Sequence, residues 1–310
     1  MTGHGGLGDD DSVHDDSEGV LDLARRACAE RGLDPSGLRL IQHYSNAVIA
    51  VPAEDAVARV ATGPHDQEQV GRSVRITRWL ADHDYPTVAP LLDIEPVALN
   101  PDETVSFWRC LPQPDPAPEF DSADLARLLA HLHELPTPPV DLLPWQPLTS
   151  LEEALRRDDT AAVLSQAEHR WLRERVEEVR ADLNDREWPL GEGLVHGDAW
   201  LGNLMASPGG PVIGDWDRVA CGPREIDLVP TWHSTRRYGR DRGWTDRFTA
   251  IYGHDLARSP VYEHLMTMRD LAQLPGPLRR APQSPTHERA LRQRLGDLMA
   301  ADTRSRWVAL

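Results

Sequence analysis

Residues 194–203 read Leu-Val-His-Gly-Asp-Ala-Trp-Leu-Gly-Asn, and residues 212–217 read Val-Ile-Gly-Asp-Trp-Asp. Asp198 and Asn203 are five positions apart, so one tight loop can aim both side chains at one point. Asp215 follows an apolar pair that is typical of a buried strand, and a turn at Gly209-Gly210 should fold this strand back beside the preceding one. The spacing therefore predicts that three oxygen-bearing side chains converge.

The chemistry of these three side chains suits phosphoryl transfer. Hard divalent cations such as Mg²⁺ take oxygen ligands, usually one or two carboxylates together with substrate phosphates. A carboxylate that is not a ligand can accept a proton from a hydroxyl group. Phosphoryl transfer needs such a base, the metal ligands and little else.

The two segments resemble the catalytic and metal-binding loops of the aminoglycoside phosphotransferase family, whose fold is similar to that of protein kinases. The family's H-G-D-x-x-x-x-N pattern matches residues 196–203, and its I-D-x-[DE] pattern matches residues 214–217 except that Gly214 replaces a hydrophobic residue. Residues 222–228 match a third family stretch, which opens the next helix. The resemblance implies an α+β, protein-kinase-like two-lobe fold, with a small antiparallel-sheet N-lobe and a larger, mainly helical C-lobe.

The resemblance also implies roles for the matching residues. Asp198 would accept the proton of the acceptor hydroxyl or orient that hydroxyl, while Asn203 and Asp215 would hold Mg²⁺. The nucleotide would lie between the lobes, with ATP as the default donor and GTP left open. A metal-dependent hydrolase using Asp198, Asp215 and Asp217 is a different class, and it would not need Asn203.

Three further residues near these loops have supporting roles by the same resemblance. His196 would pack in the core and hold the catalytic loop. Asp217 is either a support for the metal ligands or a solvated surface acid. Asp227 begins a predicted helix, where it either accepts hydrogen bonds from the catalytic-loop backbone or only interacts with the helix dipole.

Residues 38–63 alternate like two antiparallel strands around a turn at residues 52–55. In a kinase-like lobe, this region covers the nucleotide phosphates and carries the basic residue that clamps them. The glycine-rich loop of protein kinases is missing, so Ser45 and Asn46 would cover the phosphates. Arg59 falls at the position of the clamping lysine, in a sequence with no lysine, and a guanidinium can bind phosphate through two hydrogen bonds. The alternative is an exposed arginine on an edge strand.

The sequence allows two alternatives for the partner of Arg59. Residues 66–84 predict a helix, and in the family this helix carries a glutamate that pairs with the clamping residue. That position falls near Ser73, and Glu68 lies more than a turn earlier. We therefore expect Arg59 to pair with Glu68 or with no acid, which leaves a catalytically weak, pseudokinase-like binding protein as another alternative.

The sequence predicts a chain of four segments. They are a disordered tail (1–17), the N-lobe (18–111), a proline-rich lobe connector (112–120) and the C-lobe (121–310). The last N-lobe strand would end at a hinge, and the resemblance implies that the backbone around Trp108 and Cys110 binds the adenine.

Composition limits the partners. The formal net charge of −17 over 310 residues argues against nucleic acid and against an anionic membrane surface, and it would suit a cationic acceptor. Cys28, Cys110 and Cys221 are scattered and give no disulfide or zinc spacing, which favours the cytoplasm.

The acceptor is the least defined part of the prediction. The family phosphorylates antibiotics such as aminoglycosides and macrolides, and it is similar to kinases of choline, homoserine and sugars. The acids Asp241, Asp246, Glu263 and Asp270 are either acceptor-binding residues of the C-lobe or solvated surface charges.

Overall fold

The computed structural model describes residues 11–43, 46–62 and 67–310. Its helices are α1 Asp11–Arg31, α2 Gln67–Asp82, α3 Ser122–Glu134, α4 Thr149–Arg156, α5 Asp158–Ala161, α6 Gln166–Asn184, α7 Glu225–Arg237, α8 Arg242–Tyr252, α9 Tyr262–Leu271, α10 Pro275–Arg280 and α11 Pro285–Met299. Its strands are β1 Arg39–His43, β2 Asn46–Val51, β3 Ala56–Thr62, β4 Val97–Asn100, β5 Glu103–Arg109, β6 Glu192–Val195, β7 Leu204–Ser207, β8 Gly210–Ile213 and β9 Ala220–Pro223.

The chain divides into two compact units. The first contains the described residues up to 118 together with 138–141 and 205–217, and the second contains 119–137, 142–204 and 218–310. The β7–β8 hairpin therefore groups almost entirely with the first unit, although the predicted boundaries place it in the C-lobe.

An antiparallel sheet with the strand order β1-β2-β3-β5-β4 forms the centre of the first unit. Strand β3 buries Ala56, Ala58 and Val60 on the face that packs with α1, so Arg59 points to the opposite face. Because β3 lies between β2 and β5, the alternative of an arginine on an edge strand is wrong.

Helix α1 begins at Asp11, whereas the sequence predicted a start near Ser17 and a disordered tail before it. The rest of the predicted tail, residues 1–10, lies outside the described residues.

The second unit is mainly helical. Helix α3 buries Leu125, Leu128, Leu129 and Leu132, as its amphipathic pattern predicted, and a reciprocal capping box at Asp121 fixes its start. A second capping box, at Ser165, begins α6 later than the predicted start at Ala161. Two strands, β6 and β9, pair in this unit, and the loop that contains residues 196–203 follows β6. The predicted α+β class is confirmed.

Among the described helices, none has the length and apolarity that a membrane crossing requires.

Candidate active site

The loop that follows β6 is fixed by a buried carboxylate. Asp227, in the first turn of α7, is fully buried, and its two oxygens accept the backbone N–H groups of His196 at 2.7 Å and Gly197 at 2.8 Å. His133 Nε2 lies 3.2 Å from the same carboxylate. Of the two roles predicted for Asp227, the structure therefore shows hydrogen bonding to the loop backbone.

Gly197 allows this loop to approach its neighbour closely. Its φ is +84°, and a Cβ atom at this position would lie 2.2 Å from the carbonyl oxygen of Arg218. Only glycine combines that backbone conformation with that contact. His196 beside it is fully buried, in keeping with a packing role.

Asp198 projects from the pinned loop with 31% of its side chain exposed. Arg269 Nη1 donates to its Oδ1 at 3.0 Å. Burial by itself would raise the pKa of Asp198, but the positive charges of Arg269 and Arg218 outweigh it and hold the pKa below its ordinary value. Asp198 is therefore ionised at neutral pH.

Asn203 lies in the same loop and is oriented by it. Its Nδ2 donates to the backbone oxygen of Asp198 at 3.0 Å. In the described part of the chain no donor reaches its Oδ1. The amide therefore offers an oxygen, the ligand atom that Mg²⁺ prefers.

In the first unit, Arg59 binds two carboxylates from the segment after β8. Its Nη1 and Nη2 donate to the two oxygens of Asp217 at 2.6 and 2.5 Å, and Nη2 also lies 3.0 Å from Asp215 Oδ1. Burial would lower the pKa of Arg59, but Asp217 and Asp215 outweigh it and raise that pKa. Asn46 Nδ2 and Gln69 Nε2 add hydrogen bonds to Asp217, at 3.4 Å to its carboxylate and 2.7 Å to its backbone oxygen.

The expectation that Arg59 pairs with Glu68 or with no acid is wrong. Glu68 forms its ion pair with Arg75 on the same helix, while Arg59 reaches across to Asp217 and Asp215. The reason is geometric: Glu68 lies in the exposed first turn of α2, whereas the segment after β8 lies beside the outward face of β3.

Asp215 has an unusual backbone. Its φ is +60°, a left-handed conformation that is uncommon for a non-glycine residue and that aspartate tolerates better than most. Such conformations concentrate at functional sites. About half of its side chain, 49%, is exposed, so the carboxylate can accept a further ligand.

The proposed nucleotide-binding residues differ in their surroundings. Ser45 lies outside the described residues. Trp108 is buried, and its Nε1 donates to Ser106 Oγ at 2.9 Å. The backbone N–H of Cys110 donates to the carbonyl oxygen of Asp55 at 3.0 Å, so an adenine at this hinge would have to use other backbone groups.

Oxygen donors of the kind that magnesium prefers are present in each unit. Within residues 11–43, 46–62 and 67–310, no cluster of three His, Cys, Asp or Glu side chains could hold a metal alone. Asn203 in the second unit and Asp215 in the first each present a side-chain oxygen, the type of ligand atom that Mg²⁺ takes.

The four acids proposed for acceptor binding have other roles. Asp270 is buried and receives hydrogen bonds from Arg237 at 2.8 and 2.6 Å and from His233 at 2.9 Å. Asp241 caps α8, and the exposed Asp246 and Glu263 pair with neighbouring arginines.

A cavity of about 400 Å³ lies beside Asp198 in the second unit, and none of those four acids lines it. Its lining includes Trp145, Trp200, Arg218, Arg269 and Arg279. Of these, only Trp200 lies close to Asp198 in the sequence. One available signal was Arg269 itself, a charged residue among the buried apolar positions of α9.

The chain also matches a known protein family. The model of the phosphotransferase enzyme family matches residues 37–266, which is more than half of the chain. The chain belongs to the phosphotransferase enzyme family. Membership makes it a phosphotransferase with a hydroxyl group as acceptor, as the sequence predicted, and the resemblance that the two loops suggested is confirmed. Comparison with curated protein sequences finds no match.

Three solved structures share the fold of this family member. An amicoumacin kinase, hAmiN, in complex with AMP-PNP, Ca²⁺ and Ami, has a TM-score of 0.68 at 14% identity, covering 93% of this chain and 97% of that one. A microcompartment-associated aminopropanol kinase gives 0.66 at 18% identity, covering 92% and 99%. The GDP and kanamycin complex of APH(2")-IIia gives 0.61 at 15% identity, covering 91% and 99%. The predicted protein-kinase-like fold is confirmed.

Proposed function

We propose that this phosphotransferase transfers the γ-phosphoryl group of ATP to a hydroxyl group of a small molecule. The observation that carries the proposal is Asp198: a carboxylate held ionised, on a loop pinned by Asp227, beside a cavity large enough for a metabolite. The similar solved structures include kinases whose names specify amicoumacin and aminopropanol, which supports a small-molecule acceptor without identifying it.

Asp198 is proposed to position the acceptor hydroxyl and to receive its proton. The hydroxyl oxygen forms a bond to the γ-phosphorus, the bond from that phosphorus to the β-phosphate oxygen breaks, and ADP leaves. Because its pKa lies below the ordinary value, Asp198 is a weak base. Since the transition state is loose, alignment of the hydroxyl contributes more than proton abstraction.

Asn203 and Asp215 are proposed to hold Mg²⁺ through their side-chain oxygens. When bound, the ion would neutralise charge that develops on the phosphate oxygens. Asp215 would then share its carboxylate between the ion and Arg59. A metal requirement then depends on the Asp215 carboxylate itself.

Asp217 is proposed to position Arg59 for the phosphates that are not transferred. In protein kinases, an ion pair between the clamping lysine and a helix glutamate has this function. Here the two-point contact between Asp217 and the guanidinium provides the same restraint from a different element. This replacement explains how the chain does without an acid near Ser73.

The test is incubation of the purified chain with Mg²⁺ and either ATP or GTP, together with a panel of hydroxyl compounds, followed by mass spectrometry. An acceptor heavier by one phosphoryl group supports the proposal and identifies the donor. Free phosphate whose yield is independent of every acceptor would instead indicate a hydrolase. Nucleotide binding with neither product would indicate a pseudokinase-like binding protein.

A further inference from the structure

The cavity beside Asp198 has a charge opposite to that of the whole chain. Its lining carries three guanidinium groups, those of Arg218, Arg269 and Arg279, and one carboxylate, that of Asp198. The chain as a whole has a net charge of −17. A ligand inside the cavity interacts most strongly with the charges nearest to it, because exposed charges beyond about 10 Å are screened by salt. The net charge of the protein therefore does not describe the charge that an acceptor meets.

The three guanidinium groups differ in their acidic partners. Arg269 is paired with Asp198 at 3.0 Å. Arg218 is exposed, and none of the described residues accepts a hydrogen bond from its side chain. Arg279 donates to the backbone oxygen and the hydroxyl of Ser150, both at 3.0 Å and both neutral, and its closest acid, Glu153, is 3.8 Å away. The cavity lining therefore keeps an excess of positive charge, which Glu153 outside the lining offsets only in part.

These charges also disfavour one another. Burial lowers the pKa of Arg279, and the positive charges of Arg157 and Arg218 lower it further, against the opposing effect of Glu153. An anion near Arg218 and Arg279 would remove this repulsion and accept charge-assisted hydrogen bonds from both. A cation at the same place would increase the repulsion.

The start of helix α4 adds to the positive potential. Thr149 and Ser150 line the cavity, and Leu148 at the N-cap position provides no side-chain acceptor. The first backbone N–H groups of a helix carry partial positive charge and favour anions. Trp145 and Trp200 supply apolar walls, so the cavity combines anion-binding groups with a surface for carbon atoms.

We propose that the acceptor is an anion, a hydroxyl compound whose carboxylate or phosphate group binds Arg218 and Arg279 while its hydroxyl lies at Asp198. This inference rests on the proposed phosphotransferase function and names the class of its acceptor. It departs from the cationic acceptor that the net charge favoured. A polycation such as kanamycin would place ammonium groups near the three guanidinium groups of this cavity.

The first experiment uses no assumption about the acceptor. The full chain is incubated with Mg²⁺, ATP labelled with ¹⁸O in its γ-phosphoryl group and a small-molecule extract of bacterial cells, to which kanamycin and aminopropanol are added. Mass spectrometry then finds every labelled ester. The identity of each acceptor shows whether it carries a carboxylate or a phosphate group.

Labelled esters of compounds that carry a carboxylate or a phosphate are the expected result. Labelled esters of amines or neutral compounds alone would overturn the anionic acceptor and leave the proposed phosphotransferase function intact. If no labelled ester exceeds a boiled-enzyme control, the phosphotransferase proposal itself fails, and the anionic acceptor fails with it.

The second experiment compares Arg279→Gln with Arg280→Gln, its exposed neighbour outside the cavity lining. With the acceptor found above, Arg279→Gln should raise the acceptor KM about tenfold or more, since a hydrogen bond to a charged group is lost. The kcat and the KM for ATP should change by less than about twofold, and Arg280→Gln should change none of the three.

Arg218→Gln provides a second variant. The Arg218 side chain donates no hydrogen bond to the described residues, so this substitution removes no such contact within the protein. It should raise the acceptor KM in the same direction as Arg279→Gln. An unchanged acceptor KM in both folded variants would overturn the proposed anion site.

Discussion

Replacing Asp227 with asparagine tests how the catalytic loop is held. The carboxylate accepts two backbone N–H groups at 2.7 and 2.8 Å in a fully buried position. Asparagine has almost the same shape, but it must turn its NH₂ group toward one of these two donors. One charge-assisted hydrogen bond is therefore lost, and in its place the NH₂ group faces a backbone N–H group, so that two donors meet.

The magnitude follows from that exchange. Loss of a buried hydrogen bond to a charged group costs about 1.5–3 kcal/mol, so Asp227→Asn should lower the free energy of unfolding by a value near the upper limit. A loss of ~3 kcal/mol lowers the Tm by roughly 6–12 °C in a unit of this size. Because Asp198 follows the released amides directly, its displacement by ~1 Å should lower kcat by about 100-fold.

Thermal unfolding and steady-state kinetics measure the two effects, with Asp246→Asn as the matched control on an exposed helix position. The control should change the Tm by less than ~2 °C and leave kcat unchanged. Wild-type kcat and Tm in Asp227→Asn would refute the view that this carboxylate fixes the loop.

Three further predictions concern the first unit and the buried histidine. Asp217→Asn should raise the KM for ATP about tenfold, because Arg59 loses its two-point restraint, while the exposed Asp102→Asn should not; equal KM values would contradict the positioning role. Asp215→Ala should abolish Mg²⁺-dependent turnover with little change in Tm, and wild-type turnover would rule out its metal role. Burial lowers the pKa of His233 to about 4, below ~6.5 for an unfolded histidine, so unfolding takes up a proton between these values. This contribution to stability is present above pH ~6.5 and is lost toward pH 4, on the order of 3 kcal/mol in total. Urea unfolding at pH 7 and pH 5 should therefore show a smaller pH dependence in His233→Gln than in wild type, and an unchanged dependence would contradict the assignment.

The segments that carry Asp198, Asn203 and Asp215 could be recognised from the sequence because their patterns are local. The spacing of Asp198 and Asn203, and the apolar pair before Asp215, depend only on neighbouring residues. The buried stripe of α3 is likewise a periodic pattern, and its four leucines lie where the pattern placed them.

The partners of these residues could not be predicted, because long-range contacts determine them. Arg59 and Asp217 are 158 positions apart, and Arg269 and Asp198 are 71 apart. The family resemblance predicts an acidic partner on the helix after β3, where Glu68 is the candidate. The acid that pairs with Arg59 comes instead from the segment after β8. No local pattern around Arg269 indicates that it pairs with Asp198.

The charge of the cavity beside Asp198 also depends on long-range contacts. Arg218, Arg269 and Arg279 come from three separate segments and converge only in the folded second unit. Net charge summed along the chain gave the opposite expectation, since it counts surface acids that the cavity excludes. The charge of a binding site is therefore a property of the fold.

The central claim is that Asp198 acts on the acceptor hydroxyl during phosphoryl transfer. Its most direct test measures product formation and ATP affinity together in Asp198→Asn. A group that accepts or orients the proton contributes about 10²–10⁴-fold to the rate, so kcat should fall by that amount while the Kd for ATP changes by less than about threefold. A variant that keeps the wild-type kcat, or that loses turnover and ATP affinity equally, would contradict the account.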